Sequence, residues 1–326
     1  MVRAGGHIYD MVNDRLRVMR EVSLPVDGPL KAVSLVELGF TDPVRLFVKN
    51  EPHSIEKLKN ERYRLVSSVS VCDEIVERLL FSEQNDIEID SWRTCPSKPG
   101  MGLSSDEQNA ELFGIIEPHL GRKLYDSDAA GWDWGFQSWF YDMDRRRREL
   151  CASGPGYELW KKFMFVRFEA LKWTMFITSD GVVYIQTKPG VMLSGSYVTS
   201  STNSGARVSL ATLLGAEWAI AMGDDAGEEN SKDPEKLIEE YDFYGVRIKE
   251  IKRCEHEFEF CSHVFRDGKA YPLNFWKGAY RLLSKPPSEM ELLQFANEYR
   301  NVPDELERLV AFMQSLPSWC GTLNAI

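Results

Sequence analysis

The run Ala219-Ile220-Ala221-Met222-Gly223-Asp224-Asp225-Ala226 constrains this chain more than any other stretch. An apolar segment enters Gly-Asp-Asp and a small residue leaves it. Glycine tolerates positive φ and aspartate tolerates turn geometry, so the run predicts a tight β-hairpin turn. Such a turn lifts two carboxylates to the tip of a sheet. Adjacent carboxylates repel each other, and a half-buried pair wants cations. Taken alone, an Asp-Asp turn is most often a solvated loop. The rest of the chain decides between the two readings.

Two upstream segments complete a pattern. A short strand-like run, Arg122 to Tyr125, leads into Asp126-Ser127-Asp128-Ala129-Ala130-Gly131-Trp132-Asp133. Ser194-Gly195 opens a helix-like segment that carries Thr199 and Asn203. The order is therefore Asp-x4-Asp, then Ser-Gly-x3-Thr-x3-Asn, then Gly-Asp-Asp. This composite is far more specific than any one of its parts. It resembles motifs A, B and C of viral RNA-dependent RNA polymerases.

Composition sets bounds. At 326 residues the chain can bury a large core, as one large domain or as two or three subdomains. No stretch of about 18 uninterrupted apolar residues is present, so no transmembrane helix is expected. The N-terminus lacks the apolar core of a signal peptide. Six cysteines are scattered without Cys-x-x-Cys pairs, which suits a reducing, intracellular setting. The net charge of −11 excludes a generally basic nucleic-acid binder. It leaves room for a channel whose local charge grips nucleic acid.

Along the chain, residues 1–40 predict a helical lead-in with Val12, Leu16 and Met19 on one face, then a break at Pro25 to Pro29. Alternating Val44, Leu46 and Val48, and later Leu65, predict strands flanking a basic loop with Lys49, Arg62 and Arg64. Fixed cations, arginine above all, suit a triphosphate, although a solvated basic loop has the same composition. Ser70 to Phe81 predicts a helix, Pro96 to Ser104 a loop, and Ser105 a helix start. Asp133 opens an aromatic-rich helix whose rings suit core packing better than base stacking. The helix runs into Arg145–Arg148, expected as a solvated helix end favoured by the macrodipole. Residues 151–180 read as a helical insertion, and Val182 to Thr187 as a strand.

After Asp225 we expect an acidic loop, then a helix near Pro234–Tyr244 capped by Gly245. Phe258 to Gly268 predicts a hairpin. The tail, about 274–320, shows helical patterns split by Pro286-Pro287 and Pro303. Cys254 with His256, and Cys261 with His263, are each two apart but lack the usual zinc spacings. Zinc is not the expectation.

The resemblance extends beyond the three motifs. Asp42 to Ser54, Ser97 to Ser104, Gly131-Trp132-Asp133-Trp134, Leu193 to Tyr197, Met222 to Asp225 and Phe260 to Phe265 are similar to polymerases of sobemoviruses, poleroviruses and related positive-strand RNA viruses. It spans about 42–285. It implies an α+β, right-hand polymerase fold of fingers, palm and thumb, with an antiparallel palm sheet flanked by helices. The implied division is 1–120 N-terminal segment and fingers with the basic motif F loop 43–66, 121–145 palm, 146–188 fingers insertion, 189–268 palm, and 269–326 thumb. No motif G is identifiable.

The implied function is RNA-dependent RNA synthesis by two-metal-ion nucleotidyl transfer, replicating a viral genome. Asp128 and Asp224 would be principal ligands for two Mg²⁺ or Mn²⁺ ions, with Asp225 secondary. Asp133, Thr199 and Asn203 would surround the incoming sugar, and a site built around a 2′-hydroxyl rejects deoxynucleotides. Ser194 and Gly195 offer flexible backbone near the nascent base pair. Lys49, Arg62 and Arg64 would hold the triphosphate. Lys252, ahead of Lys249, is the candidate general acid for the leaving pyrophosphate. Cys261 and Ser262, in the motif E hairpin, would contact the RNA primer or product. Implied partners are template and nascent RNA, NTPs, a small genome-linked protein and other viral replication proteins. The implied location is the host cytoplasm, at membrane-associated replication complexes. A reverse transcriptase, or a degenerate palm acting as an RNA-binding scaffold, are the rival readings.

Overall fold

A computed structural model describes residues 2–22 and 30–315, with the side chains of residues 2–5 excepted. The break expected at Pro25 to Pro29 and the tail beyond 315 lie outside the described residues. The lead-in is a helix, α1 (Val2–Glu21), with Val12 and Met19 buried as their spacing requires. A short α2 (Ala32–Glu37) precedes strand β1 (Val44–Val48). The basic loop contains α3 (Ile55–Lys59) and returns as β2 (Leu65–Ser68), with Val48 opposite Leu65. Ser70 caps α4 (Val71–Asp90), and Ser105 caps α5 (Asp106–Ile116). Each serine accepts the N–H three residues on, as an N-cap should.

Strand β3 (Leu124–Ala129) follows. The aromatic helix is two helices. A one-turn α6 (Trp132–Gly135) ends at Phe136, and α7 (Ser138–Leu150) begins after Gln137. Trp132, Phe136 and Phe140 are buried and in mutual contact, so these rings pack rather than stack on bases. Helix α8 (Tyr157–Lys172) leads to a hairpin of β4 (Met175–Thr178) and β5 (Val183–Ile185). Then come α9 (Thr199–Leu213), β6 (Trp218–Met222), β7 (Asp225–Glu229) and α10 (Pro234–Phe243). Gly245, at φ +81°, follows α10 in the left-handed conformation expected of it. Strands β8 (Ile248–Arg253), β9 (Phe258–Phe260), β10 (His263–Arg266) and β11 (Lys269–Pro272) precede the last helices. These are α11 (Phe275–Leu283), α12 (Glu289–Glu298) and α13 (Pro303–Gln314), separated at Pro286-Pro287 and started at Pro303.

Three sheets result. The central one runs β6-β7-β3-β8 and is antiparallel throughout. The second runs β2-β1-β4-β5, with β1 and β4 parallel. The third is β11-β10-β9, one strand more than the expected hairpin. The largest apolar core lies between the second sheet, the central sheet and helices α1, α4, α7, α8 and α9. A second core joins α5 to β9 and β10, and a third holds the last three helices together.

Two expectations are corrected here, and a third gains detail. The stretch 151–180 is helical over Tyr157–Lys172, as expected, and it also packs into the core. Met164, Val166, Phe168 and Leu171 of α8 are fully buried in the main core, and the hairpin after it pairs with β1. The acidic segment after Asp225 is a strand, not a loop. Its Glu228 accepts the Tyr241 hydroxyl at 2.8 Å and its Glu229 pairs with His119 at 2.6 Å.

The Arg145–Arg148 run is not a solvated helix end either. Arg148 is buried against Asp144 at 3.0 Å, and Arg147 bridges Asp144 and Glu88 at 2.7 and 2.8 Å. Both reach the Ser201 hydroxyl of α9, and Arg145 pairs with the buried Glu149 at 2.6 Å. Only Arg146 stays largely in solvent. Arg148 and Arg147 together hold Asp144 at about 2, below the ordinary carboxylate value, against the opposing loss of hydration. A row of arginines looks solvated until acidic partners arrive from other helices, here α4 with its buried Glu88.

Candidate active site

Met222 pairs with Asp225, which leaves Gly223 and Asp224 as a two-residue turn between β6 and β7. Gly223 sits at φ +67°, the left-handed region that the sequence reading required of it. Its N–H donates to Ser204 Oγ of α9 at 2.9 Å, so the turn is tied to the neighbouring helix. Strand β3 runs beside β7 with Ser127 opposite Ala226. That register brings Asp128 and Asp225 to the same end of adjacent strands.

The electrostatics follow from this crowding. Lost hydration, then the charges of Asp224 and Asp128, raise Asp225 to about 6. Asp133 is half-buried on α6. It is also raised to about 6, by lost hydration and then by Asp224, while Arg64 pulls the other way. Asp225 thus feels both Asp224 and Asp128, and Asp133 feels Asp224. Neither Asp224 nor Asp225 makes an ion pair among the described residues.

A cavity of ≈ 320 Å³ opens beside them. Its lining includes Asp126, Asp128 and Asp225 together with Glu259, Cys261 and Ser262. The sequence reading missed Asp126. Asp126 and Asp128 are two apart on β3 and share a face, so period-two spacing was the available signal. Lost hydration and the Glu259 charge raise Asp126 to about 6, opposed by Lys252.

Among the described residues, no three acidic, His or Cys side chains are gathered closely enough to hold a metal ion. The chemistry of the donor set still fits hard divalent cations: oxygen ligands only, mutually repelling, with Asp225 uncompensated. Asp128, Asp224 and Asp225 are the side chains that would hold such ions.

The two candidate lysines separate. On β8, Lys249 Nζ lies 2.9 Å from Asp128 Oδ2. Lys252 lies opposite Asp126 and pairs with Glu259 at 3.3 Å. Both ammonium groups are held above their ordinary value, Lys249 chiefly by its bond to Asp128 and Lys252 by its bond to Glu259.

The basic loop clusters around one carboxylate. Glu51 receives Lys49 and Arg64, each at 3.3 Å, and Lys277 of α11 at 3.6 Å. Arg62 is exposed and, among the described residues, makes no ion pair with Glu51. Ser194 is stitched to Ser67 of β2, its N–H donating to Ser67 Oγ at 3.1 Å and its Oγ accepting the Ser67 N–H at 3.3 Å. Gly195 is required by close approach more than by flexibility: a Cβ there would lie 2.3 Å from the Ser67 carbonyl oxygen. The next residues are held by the buried Glu77, which accepts Ser196 Oγ–H at 2.8 Å and the Tyr197 N–H at 2.6 Å. Arg167 secures Glu77 from behind at 2.6 Å.

Thr199 directs its hydroxyl to the Leu193 and Ser196 carbonyls at 2.6 and 2.7 Å, and Asn203 Oδ1 accepts the Trp132 indole N–H at 2.9 Å. Of the three residues expected around the sugar, Asp133 is within electrostatic reach of Asp224, whereas Thr199 and Asn203 are held by other protein groups. Cys261 and Ser262 form the β9–β10 turn at φ +52° and +60°, a strained conformation for non-glycine residues. Burial and the nearby charges of Asp225 and Asp224 push the Cys261 thiol well above its usual value.

Comparison with known proteins agrees with this geometry. The model of the viral RNA-directed RNA-polymerase family matches residues 29–280. The replicase polyprotein P2AB of Southern cowpea mosaic virus is 39% identical over 297 residues, 89% of this chain and 30% of that polyprotein. Protein P1-P2 of Potato leafroll virus is 41% identical over 283 residues, 83% of this chain and 26% of that protein. The chain thus spans less than a third of the length of these relatives. The RNA-dependent RNA polymerase of a human picorbirnavirus superposes with a TM-score of 0.65 at 13% identity, covering 86% of this chain and 57% of that one. That likeness shows the fold alone: an α+β polymerase architecture whose central antiparallel sheet is the palm. On sequence and fold together, the chain belongs to the viral RNA-directed RNA polymerase family.

Proposed function

We propose that this chain is an RNA-dependent RNA polymerase that joins NTPs to an RNA 3′-hydroxyl on an RNA template. The observation that carries the proposal is the Gly223-Asp224 turn with Asp225, set beside Asp128 on the adjacent strand. Divalent ions, Mg²⁺ or Mn²⁺, would supply Lewis-acid stabilisation of the attacking and leaving oxygens. Asp128, Asp224 and Asp225 would hold them, and the raised Asp225 is one group whose repulsion such binding relieves.

The chain's own residues supply the rest. Lys49 and Arg64 would exchange Glu51 for the triphosphate, with Arg62 as a further cation. Asp133, Thr199 and Asn203 would read the ribose, while Ser194 and Gly195 set the loop against β2. Lys252 would give a proton to the departing pyrophosphate oxygen, with Lys249 the alternative. Cys261 and Ser262, in the lining of the cavity, would support the product strand. The fingers, palm and thumb boundaries expected from the sequence carry over as part of the proposal.

A role in viral genome replication draws on the relatives, which are named replicase polyproteins. Association with other replication proteins, including a small genome-linked protein, and work at host membrane-associated complexes in the cytoplasm rest on the resemblance. No described helix is long and apolar enough to cross a membrane.

The test is incorporation of labelled GTP on a poly-C template with Mg²⁺ or Mn²⁺, against dGTP in parallel. Template-dependent incorporation of GTP with weak use of dGTP is the expected result. Strong use of dGTP would favour the reverse-transcriptase reading. No incorporation, even with an annealed primer, would favour a scaffold.

A further inference from the structure

Trp132 is buried at the start of α6, directly before Asp133. Its indole Nε1 donates to Asn203 Oδ1 at 2.9 Å. An indole N–H only donates, so its partner must be the amide oxygen, and this fixes which way the Asn203 amide faces. The Asn203 nitrogen is turned away from the indole and, among the described residues, donates to no protein atom. Asn203 is buried overall, but its nitrogen is not among the fully enclosed, unpartnered polar atoms of the described residues.

The indole is clamped in turn. The guanidinium of the fully buried Arg207 lies 5.5 Å from its ring, the Phe136 ring meets it edge-on at 5.6 Å, and Phe140 lies at 5.5 Å. Arg207 also donates to the Ser127 carbonyl at 3.4 Å, which ties the clamp to the strand carrying Asp128. The residue after Asn203, Ser204, receives the Gly223 N–H of the turn that carries Asp224. Asn203 is therefore fixed between Trp132, the residue before Asp133, and Ser204, which is bonded to the Gly223-Asp224 turn.

We propose that Trp132 is a positioning residue for sugar selection: it locks Asn203 with its amide nitrogen presented as a donor to the ribose 2′-oxygen of the incoming nucleotide. The inference rests on the polymerase reading. A ribonucleotide offers the acceptor that this donor needs. A deoxynucleotide leaves it unpaired in a partly desolvated site, which is the arrangement that discriminates best. Without the indole N–H the amide can flip and offer its oxygen instead.

The experiment compares the ratio of kcat/KM for GTP and dGTP in the wild-type chain, Trp132→Phe, Asn203→Asp, Asn203→Ala and the double variant Trp132→Phe/Asn203→Ala. Loss of one net hydrogen bond should reduce the GTP preference of Trp132→Phe roughly five- to tenfold, with the loss in the GTP arm. Asn203→Asp still accepts the indole N–H but cannot donate to the sugar, so it should lose preference in the same direction. The double variant should discriminate no worse than Asn203→Ala alone, because Trp132 acts through Asn203.

Wild-type preference in an active Trp132→Phe, an equal fall for GTP and dGTP, or additive losses in the double variant would each overturn the proposal. Should Trp132→Phe fail to fold, an unchanged preference in Asn203→Asp overturns it alone. A wild-type chain that incorporates neither nucleotide defeats the polymerase reading, and this inference falls with it.

Discussion

The Lys249 ammonium lies 2.9 Å from Asp128 Oδ2, and it is the only cation among the described residues paired with that carboxylate. A divalent ion held by Asp128 would compete with this ammonium for the carboxylate. Replacing Lys249 with Met should therefore lower the Mg²⁺ concentration needed for half-maximal incorporation. Lys252 pairs with Glu259 instead, away from Asp128. If it is the general acid, Lys252→Leu should cut the rate by about a hundredfold or more with the Mg²⁺ midpoint unchanged. A Mg²⁺ titration of both variants separates these roles, and an unaltered rate in Lys252→Leu refutes the general-acid assignment.

Asp225 is raised to about 6 by lost hydration and by Asp224 and Asp128, and Asp133 is raised to about 6 by lost hydration and Asp224. A carboxylate whose folded value lies above its unfolded one binds more protons when folded, so its contribution to stability falls as pH rises from about 4 through about 6. Without metal, the chain should be penalised at neutral pH by these groups. Mg²⁺ should therefore raise Tm more at about pH 7.5 than at about pH 5. Asp225→Asn should raise the metal-free Tm while lowering activity. A metal-independent Tm at both pH values would contradict the carboxylate cluster.

Asp144 works in the opposite sense. Its folded value of about 2 lies below the unfolded one, so its stabilisation is present above about pH 4 and is lost as pH falls toward 2. Arg148→Met removes one of the two cations holding it and leaves a buried charge poorly compensated. A destabilisation of about 3 kcal/mol or more is expected, read by denaturant unfolding at neutral pH. The deficit of Arg148→Met relative to wild type should shrink as the solution is acidified.

Gly195 has no room for a methyl group, because a Cβ would lie 2.3 Å from the Ser67 carbonyl oxygen. Gly195→Ala must push the Ser194 loop off β2. Backbone displacement of this kind costs about 1–3 kcal/mol. The variant should show a lower Tm and a raised KM for GTP. Gly131→Ala is the contrast: its Cβ would meet nothing within 4 Å, although φ +63° still disfavours it.

Local chemistry made much of this molecule legible. The hairpin at Gly223 could be read because positive φ and adjacent carboxylates are properties of neighbouring residues. The caps at Ser70 and Ser105, the strands about the basic loop and the helix breaks at Pro286 and Pro303 are local in the same sense. What escaped were relationships closed by distant partners. The parallel pairing of β1 with β4 joins residues more than a hundred positions apart. The arginine run reads as solvated because Glu88 and Ser201 come from other helices. Asp126 carried its signal, two residues before Asp128, but its raised value depends on burial and on Glu259, which comes from a distant strand.

The most direct test is labelled GTP incorporation on poly-C with Mg²⁺, comparing the chain with Asp224→Ala and Asp128→Ala. The account predicts template-dependent product from the parent chain and loss of that product in both variants, with each still folded by circular dichroism. Undiminished incorporation in either folded variant would contradict the assignment of the Asp128–Asp224–Asp225 cluster as the catalytic centre.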